Sequence, residues 1–248
     1  MSIEYGTLQT LDTLLSRLRD FQDLVTIGTD RVAGYAEVSV NHPDVFHELP
    51  SRRVSLPIEV HADWHARTSG ELNVIYPEKM LFTFAEFGGL AGLRRWAEVA
   101  KLNRATLSRL MATKYAPSMF LSDRVMNVAA AIEGYDREKY HDRKTYLARA
   151  TRCADQAGDP FVSLVGDVDA WCKLLKDARN DIAHDNARLD TTSANHLVLS
   201  YSSYFLPVLY LLRDAGAGPA VFRRIESQSR FRWVGAQTRA MMDGVTEP

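Results

Sequence analysis

From Phe87 onward the apolar residues recur every three or four positions, and the alternation that marks a strand is gone. That period commits the stretch to amphipathic helices, whose apolar stripes must be buried against one another. "LAGLRRWAEVAKLNRATLSRLMATKY" predicts two helices meeting near Asn103. "SDRVMNVAAAIEGYDREKY" predicts another, capped by Ser122 and carrying Val125, Val128, Ala129 and Ile132 on one face. "HDRKTYLARATRCADQAG" predicts a helix stopped by Gly158, with Pro160 just beyond. "FVSLVGDVDAWCKLLKDARNDIAH" continues the pattern, and "TTSANHLVLSYSSYFLPVLYLLRDAG" is long, apolar and stopped by Gly216. With short connections, residues 87–248 are expected to form an antiparallel helical bundle.

The first 86 residues read differently. "LQTLDTLLSRLRDFQDLV" places Leu8, Leu11, Leu14, Leu15, Leu18 and Phe21 on the stripe of one amphipathic helix. "RVAGYAEVSV" and "RRVSLPIEVHA" then alternate apolar with polar residues, as strands do, and "ELNVIY" and "KMLFTF" are two more short strand candidates. "NHPDVFHELP" reads as a loop between them. The expected fold class is α+β, mainly α: a helix and a small β region over residues 1–86, then the bundle.

Composition narrows the function. At 248 residues and 46% hydrophobic, the chain can bury a core of its own. Two cysteines, Cys153 and Cys172, make no disulfide framework and suit a reducing cytosol. No apolar run resembles a signal peptide, and the stretch around Pro207 is too short to span a bilayer. A soluble cytoplasmic protein with no membrane partner is expected. The formal net charge is −1, so a polyanion would have to be held by a local patch. One such patch is Arg223, Arg224, Arg230, Arg232 and Arg239 against Glu226 alone, with Phe231 and Trp233 interleaved. Arginines for phosphate with aromatics for bases suit single-stranded RNA, which makes Arg223, Arg224, Arg230 and Arg232 candidate RNA contacts. A solvated amphipathic tail is the plainer reading.

Several chemistries lack their motif. There is no Gly-x-Ser-x-Gly elbow, no P-loop and no dinucleotide glycine fingerprint. His61, Asp63 and His65 would share one face of an extended strand, a spacing compatible with a metal. No cysteine joins them, and a polar sheet face is the better reading, so no metal and no cofactor are expected. Trp96, Trp171 and Phe120 are expected in the core rather than as stacking platforms.

The stretch "KLLKDARNDIAHDNARLD" carries the trio Arg179, Asn180 and His184. Asn180 and His184 are four apart and share a helix face, whereas Arg179 lies further round. Histidine can move a proton near neutral pH, arginine can fork onto a phosphate, and asparagine can orient either. An Arg-x4-His spacing alone is a weak signal.

Written as Arg-Asn-x-x-x-His inside a bundle helix, this motif resembles the HEPN superfamily (higher eukaryotes and prokaryotes nucleotide-binding), and the chain is similar to its ApeA-like branch. "MFLSDRVMNVAAAIEGYD" looks like the early bundle helix that carries a glutamate, here Glu133. "KMLFTFAEFGGLAGLRRWAEV" is similar to the strand, helix and tryptophan (Trp96) before it, and "LDTLLSRLRDFQDLV" to a helix of the family's N-terminal region. In the family that region is often longer before the helix that opens here, and the comparison implies that a sensing part is absent from this chain. The resemblance implies a metal-independent endoribonuclease, a toxin or phage-defence effector, with two motifs meeting across a homodimer and a regulatory partner protein to restrain it. It implies that His184 acts as base or acid, Arg179 holds the scissile phosphate, Asn180 orients and Glu133 supports. Asp177, Asp181 and Asp185 surround the motif and would repel RNA phosphates. The alternative is a catalytically silent module that binds a nucleotide or a protein. A toxin silenced by nucleotidylation of a tyrosine two residues after the histidine loses its acceptor, because that position is Asn186.

Overall fold

The long apolar segment before Gly216 becomes α8, Ser193–Asp214, and it is buried on every side from Ser202 to Leu212. A helix buried all round belongs at the centre of a bundle, and α2, α4, α5, α6 and α10 pack on this one. The computed structural model describes residues 3–35, 37–61, 74–116, 118–184 and 193–244. Among these, ten α-helices and one β-hairpin are present. Helix α8 continues through Pro207, and no helix is long and apolar enough to cross a membrane among the described residues.

After α1 (Leu11–Thr29) come strands β1 (Ser39–Leu49) and β2 (Arg52–Glu59) and a short 3-10 turn at Pro77–Lys79. Helices α2 (Gly89–Leu102) and α3 (Arg104–Tyr115) meet at Asn103, as their spacing predicts. Helix α4 (Leu121–Tyr140) buries Val125, Val128, Ala129 and Ile132, the expected face. Its cap is Phe120 rather than Ser122, which lies one residue inside the helix. Phe120 is also 80% exposed, against the expectation of a core residue, because it stands outside the first turn. Trp96 and Trp171 are fully buried.

Helix α5 (Tyr146–Ala157) starts where the Thr145 side chain caps the amide of Ala148, and it ends at Gly158. The next segment divides into α6 (Asp159–Val165) and α7 (Val168–His184). Gly166 makes that break at φ 78°, a left-handed conformation that a side chain would strain. The arginine-rich end forms α9 (Pro219–Ser227) and α10 (Ser229–Met242). Helices α3, α5, α7 and α8 pack on α4, while α6, α8 and α9 pack on α10.

The β region departs from expectation in detail. "NHPDVFHELP" is not a loop, since it supplies most of β1, which pairs antiparallel with β2 in a two-stranded sheet. Pro43 lies within the irregularity between Asn41 and Phe46, where a residue without an N–H does least harm to the ladder. "KMLFTF" is not a strand but a turn whose Leu81 and Phe82 plug the core. Residues 74–76 have no regular structure, and the rest of "ELNVIY" lies outside the described residues.

Helix α1 inverts its apparent polarity. Leu8 and Leu11 are exposed and Leu14, Leu15, Leu18 and Phe21 only half-buried, while Asp20, Asp23 and Thr26 are buried. The buried acids have partners. Arg104 of α3 reaches Asp20 and lies 3.2 Å from Asp23, and the Tyr115 hydroxyl donates to Asp23 at 2.8 Å. The Trp96 indole donates to the Asp20 carbonyl at 2.7 Å. Leu24 and Ile27 of α1 share one apolar cluster with the bundle helices.

A second buried carboxylate, Asp136 of α4, takes Arg149 at 2.7 Å and Arg152 at 2.9 and 2.7 Å, both from α5. Removing one partner of such a buried group leaves the others uncompensated. Asp136→Ala should therefore cost about 3–5 kcal/mol in denaturant unfolding. Burial raises the pKa of Asp23 from 3.8 to about 7. Between those values the folded state holds a proton that the unfolded state has released. Stability from this residue thus falls as pH rises from about 4 to about 7, and is level above. Melting curves of Asp23→Asn should lose that slope.

Candidate functional site

Three helices converge on the guanidinium of Arg179. The side chain leaves α7 beside Ala178, which is buried in the core, so its base is fixed while its head reaches the surface. Its Nη2 donates to Glu133 Oε2 of α4 at 3.3 Å, and its Nη1 donates to Asn180 Oδ1 at 3.3 Å. The guanidinium carbon lies over the ring of Tyr146 at the start of α5, 4.9 Å from the centroid. Those two hydrogen bonds use two of the five N–H donors of arginine, so the fork keeps donors for an anion.

Glu133 is shared. Its Oε1 accepts from Arg137 Nη2 at 2.8 Å, one turn along the same helix. A single carboxylate between two cations leaves net positive charge at the site. Nearby acids offset part of it: Asp177 pairs with Lys176 at 2.8 Å, Asp181 is half-buried, and Asp185 lies outside the described residues.

Glu133, Arg179 and Asn180 are thus brought together. His184 is the last residue of α7, one turn beyond Asn180, and it is exposed. Sequence reasoning missed Tyr146 and Arg137. For Arg137 the signal was present, since a glutamate four residues before an arginine is a helix-surface pair. For Tyr146 nothing local could have served, because its ring meets Arg179 only through the packing of α5 on α7.

The four C-terminal arginines divide two and two. Arg223 and Arg232 are exposed. Arg224 donates to the Met80 carbonyl at 3.1 Å, to Glu86 Oε1 at 2.9 Å and to the Pro77 carbonyl, and so ties α9 to the turn before α2. Arg230 pairs with Asp30 Oδ2 at 2.7 Å, and Lys114 takes the other oxygen of that carboxylate at 2.7 Å. Phe231 is buried, Trp233 is half-exposed, and Arg239 donates to the Ser163 carbonyl at 2.8 Å. The helices carrying these arginines pack on α6, which in turn packs on α7 together with α4 and α5.

His61 is exposed and lies 3.6 Å from Glu59, while Asp63 and His65 lie outside the described residues, as does Asn186. Among the described residues no three His, Cys, Asp or Glu side chains converge as metal ligands do. Cys153 and Cys172 are buried free thiols, both pushed up in pKa by burial.

Residues 1–96 match the family model of ApeA N-terminal domain 1. This links the chain to ApeA-type anti-phage proteins, which contain HEPN domains. The match takes in α1, the hairpin and most of the first bundle helix up to Trp96; the Arg179 site lies beyond it. No curated protein and no solved structure matches the chain.

The structural and solvent-facing arginines are separable by experiment. Arg224→Ala should lower stability by about 1–3 kcal/mol, since it removes bonds to groups held between two segments. Arg223→Ala and Arg232→Ala should each stay within about 0.5 kcal/mol of the parent in the same unfolding assay.

Proposed function

We propose that this chain is a metal-independent endoribonuclease of an ApeA-type anti-phage system, with Arg179, Asn180 and His184 at its active site. The observation that carries the reading is the convergence of Glu133 and Asn180 on Arg179. A motif that could be a chance spacing is built into a three-helix arrangement with its arginine presented at the surface.

Cleavage would proceed by attack of the ribose 2′-oxygen on the adjacent phosphorus. The 2′-O–P bond forms as the P–O5′ bond breaks, a base takes the 2′-hydroxyl proton and an acid gives one to the 5′-oxygen. The product ends in a 2′,3′-cyclic phosphate, and no redox partner is involved. His184 serves as base or acid, and Arg179 stabilises charge growing on the phosphorane. One histidine supplies one of the two proton-transfer roles. A homodimer that faces two α7 helices across a two-fold axis would supply the second. Arg223 and Arg232, exposed on α9 and α10, are the residues of the basic patch best placed to meet RNA backbone, whereas the exposed Arg230 is paired with Asp30.

His184→Ala should abolish cleavage of mixed RNA without changing the melting temperature, since the residue is exposed at a helix end. Arg179→Ala should lower kcat on the order of 10²–10³-fold, the worth of one well-placed donor. Arg179→Lys should recover part of that loss, keeping charge without the fork. Activity should persist in EDTA. Wild-type rates from His184→Ala would overturn the reading in favour of a silent binding module, and a strict monomer by light scattering would overturn the composite site.

A further inference from the structure

We propose that Tyr146 is a positioning residue for Arg179, holding the guanidinium plane by its ring face while Glu133 holds one edge; this rests on the endoribonuclease reading above. An arginine side chain has four rotatable bonds, and its two hydrogen bonds, to Glu133 and Asn180 at 3.3 Å each, leave the plane free to tilt about the line that joins them. A ring beneath it removes that freedom. The guanidinium carbon stands 4.9 Å from the Tyr146 centroid, within the range where the negative face of the ring attracts a cation. An aromatic face also adds no hydrogen-bond acceptor, so it orients the arginine without using donors that the phosphate needs.

The ring is well anchored. Tyr146 is the first residue of α5, immediately after the Thr145 cap, and it packs against the apolar core. Three residues on, Arg149 is locked to the buried Asp136, which fixes the same turn of α5 against α4. Burial raises the pKa of the phenol above its usual value, so it stays protonated and neutral at working pH. The hydroxyl is buried and has no hydrogen-bond partner among the described residues. A tyrosine whose oxygen makes no bond is used here for its ring.

The ring can be tested at constant shape. Tyr146→Phe removes only a hydroxyl that makes no bond and is the reference for a series in which the ring alone changes. Phenylalanines carrying one, two and three ring fluorines, placed at 146 by nonsense suppression, draw electron density from the face. They should lower kcat stepwise, reaching roughly 3- to 30-fold, with KM unchanged. Tyr146→Leu should fall at least as far. A merely structural role predicts a flat fluorine series, and that result would overturn the proposal.

A readout independent of activity keeps it testable if the protein does not cut RNA. The Arg179 Hε resonance should be shifted upfield by the ring in the parent and in Tyr146→Phe, and should return towards the random-coil position in Tyr146→Leu. An Hε shift unchanged by Tyr146→Leu would overturn the positioning role. Loss of that shift in a protein without nuclease activity would retain the positioning role while the endoribonuclease reading fell.

Discussion

The candidate site depends on one buried carboxylate that takes no part in it. Asp136 has no exposure and is held by two arginines of α5, Arg149 and Arg152. A buried ion cluster of this kind is weak evidence for stability, because desolvation offsets much of the attraction. Its consequence here is geometric. Glu133 lies three residues before Asp136 on α4, and Tyr146 three residues before Arg149 on α5. Fixing Asp136 to Arg149 therefore sets the separation of the two walls between which Arg179 sits. Neither wall would be in place if α4 and α5 slid by half a turn.

The parts of the fold legible in the sequence were those where apolar periodicity and burial agree. The buried face of α4, the junction at Asn103 and the stop at Gly158 follow from spacing and capping residues alone. Helix α1 is the opposite case. Its leucines form the better stripe, yet the face turned inwards carries Asp20, Asp23 and Thr26, because α3 supplies Arg104 and Tyr115 to meet them. A pattern on one helix cannot show which partners another helix will bring. The hairpin was misread for a related reason. Asn41, Pro43 and Asp44 have turn chemistry, but β1 accommodates them at an irregularity in its pairing with β2.

The site was legible to the same degree. Arg179, Asn180 and Glu133 carry types and spacings that a sequence displays, and the fold brings them into contact. Tyr146 does not, since a tyrosine at a helix start has no local mark that distinguishes it from core. Composition was least informative about the C-terminal arginines. Arg224 and Arg230 serve as ties to backbone carbonyls and to Asp30, while Arg223 and Arg232 point to solvent, and nothing in the charge run separates the pairs.

Those ties bear on how the matched N-terminal segment is joined to the bundle. Apolar contact supplies part of the joint, through Leu24, Ile27, Leu81 and Phe82. Direction comes from polar groups, which tolerate far less sliding than methyl groups do. Trp96 bonds the backbone at Asp20, Arg104 meets Asp20 and Asp23, and Lys114 with Arg230 grips Asp30 where α1 ends in the left-handed conformation. Helix α3 carries both Arg104 and Lys114, and its other side packs on α4, the helix that carries Glu133. Residues 1–96 and the Arg179 site are therefore connected through two packed helices. The segment that matches the ApeA N-terminal domain model and the helices that carry the residues proposed to cut RNA share one apolar core, although they are far apart in sequence.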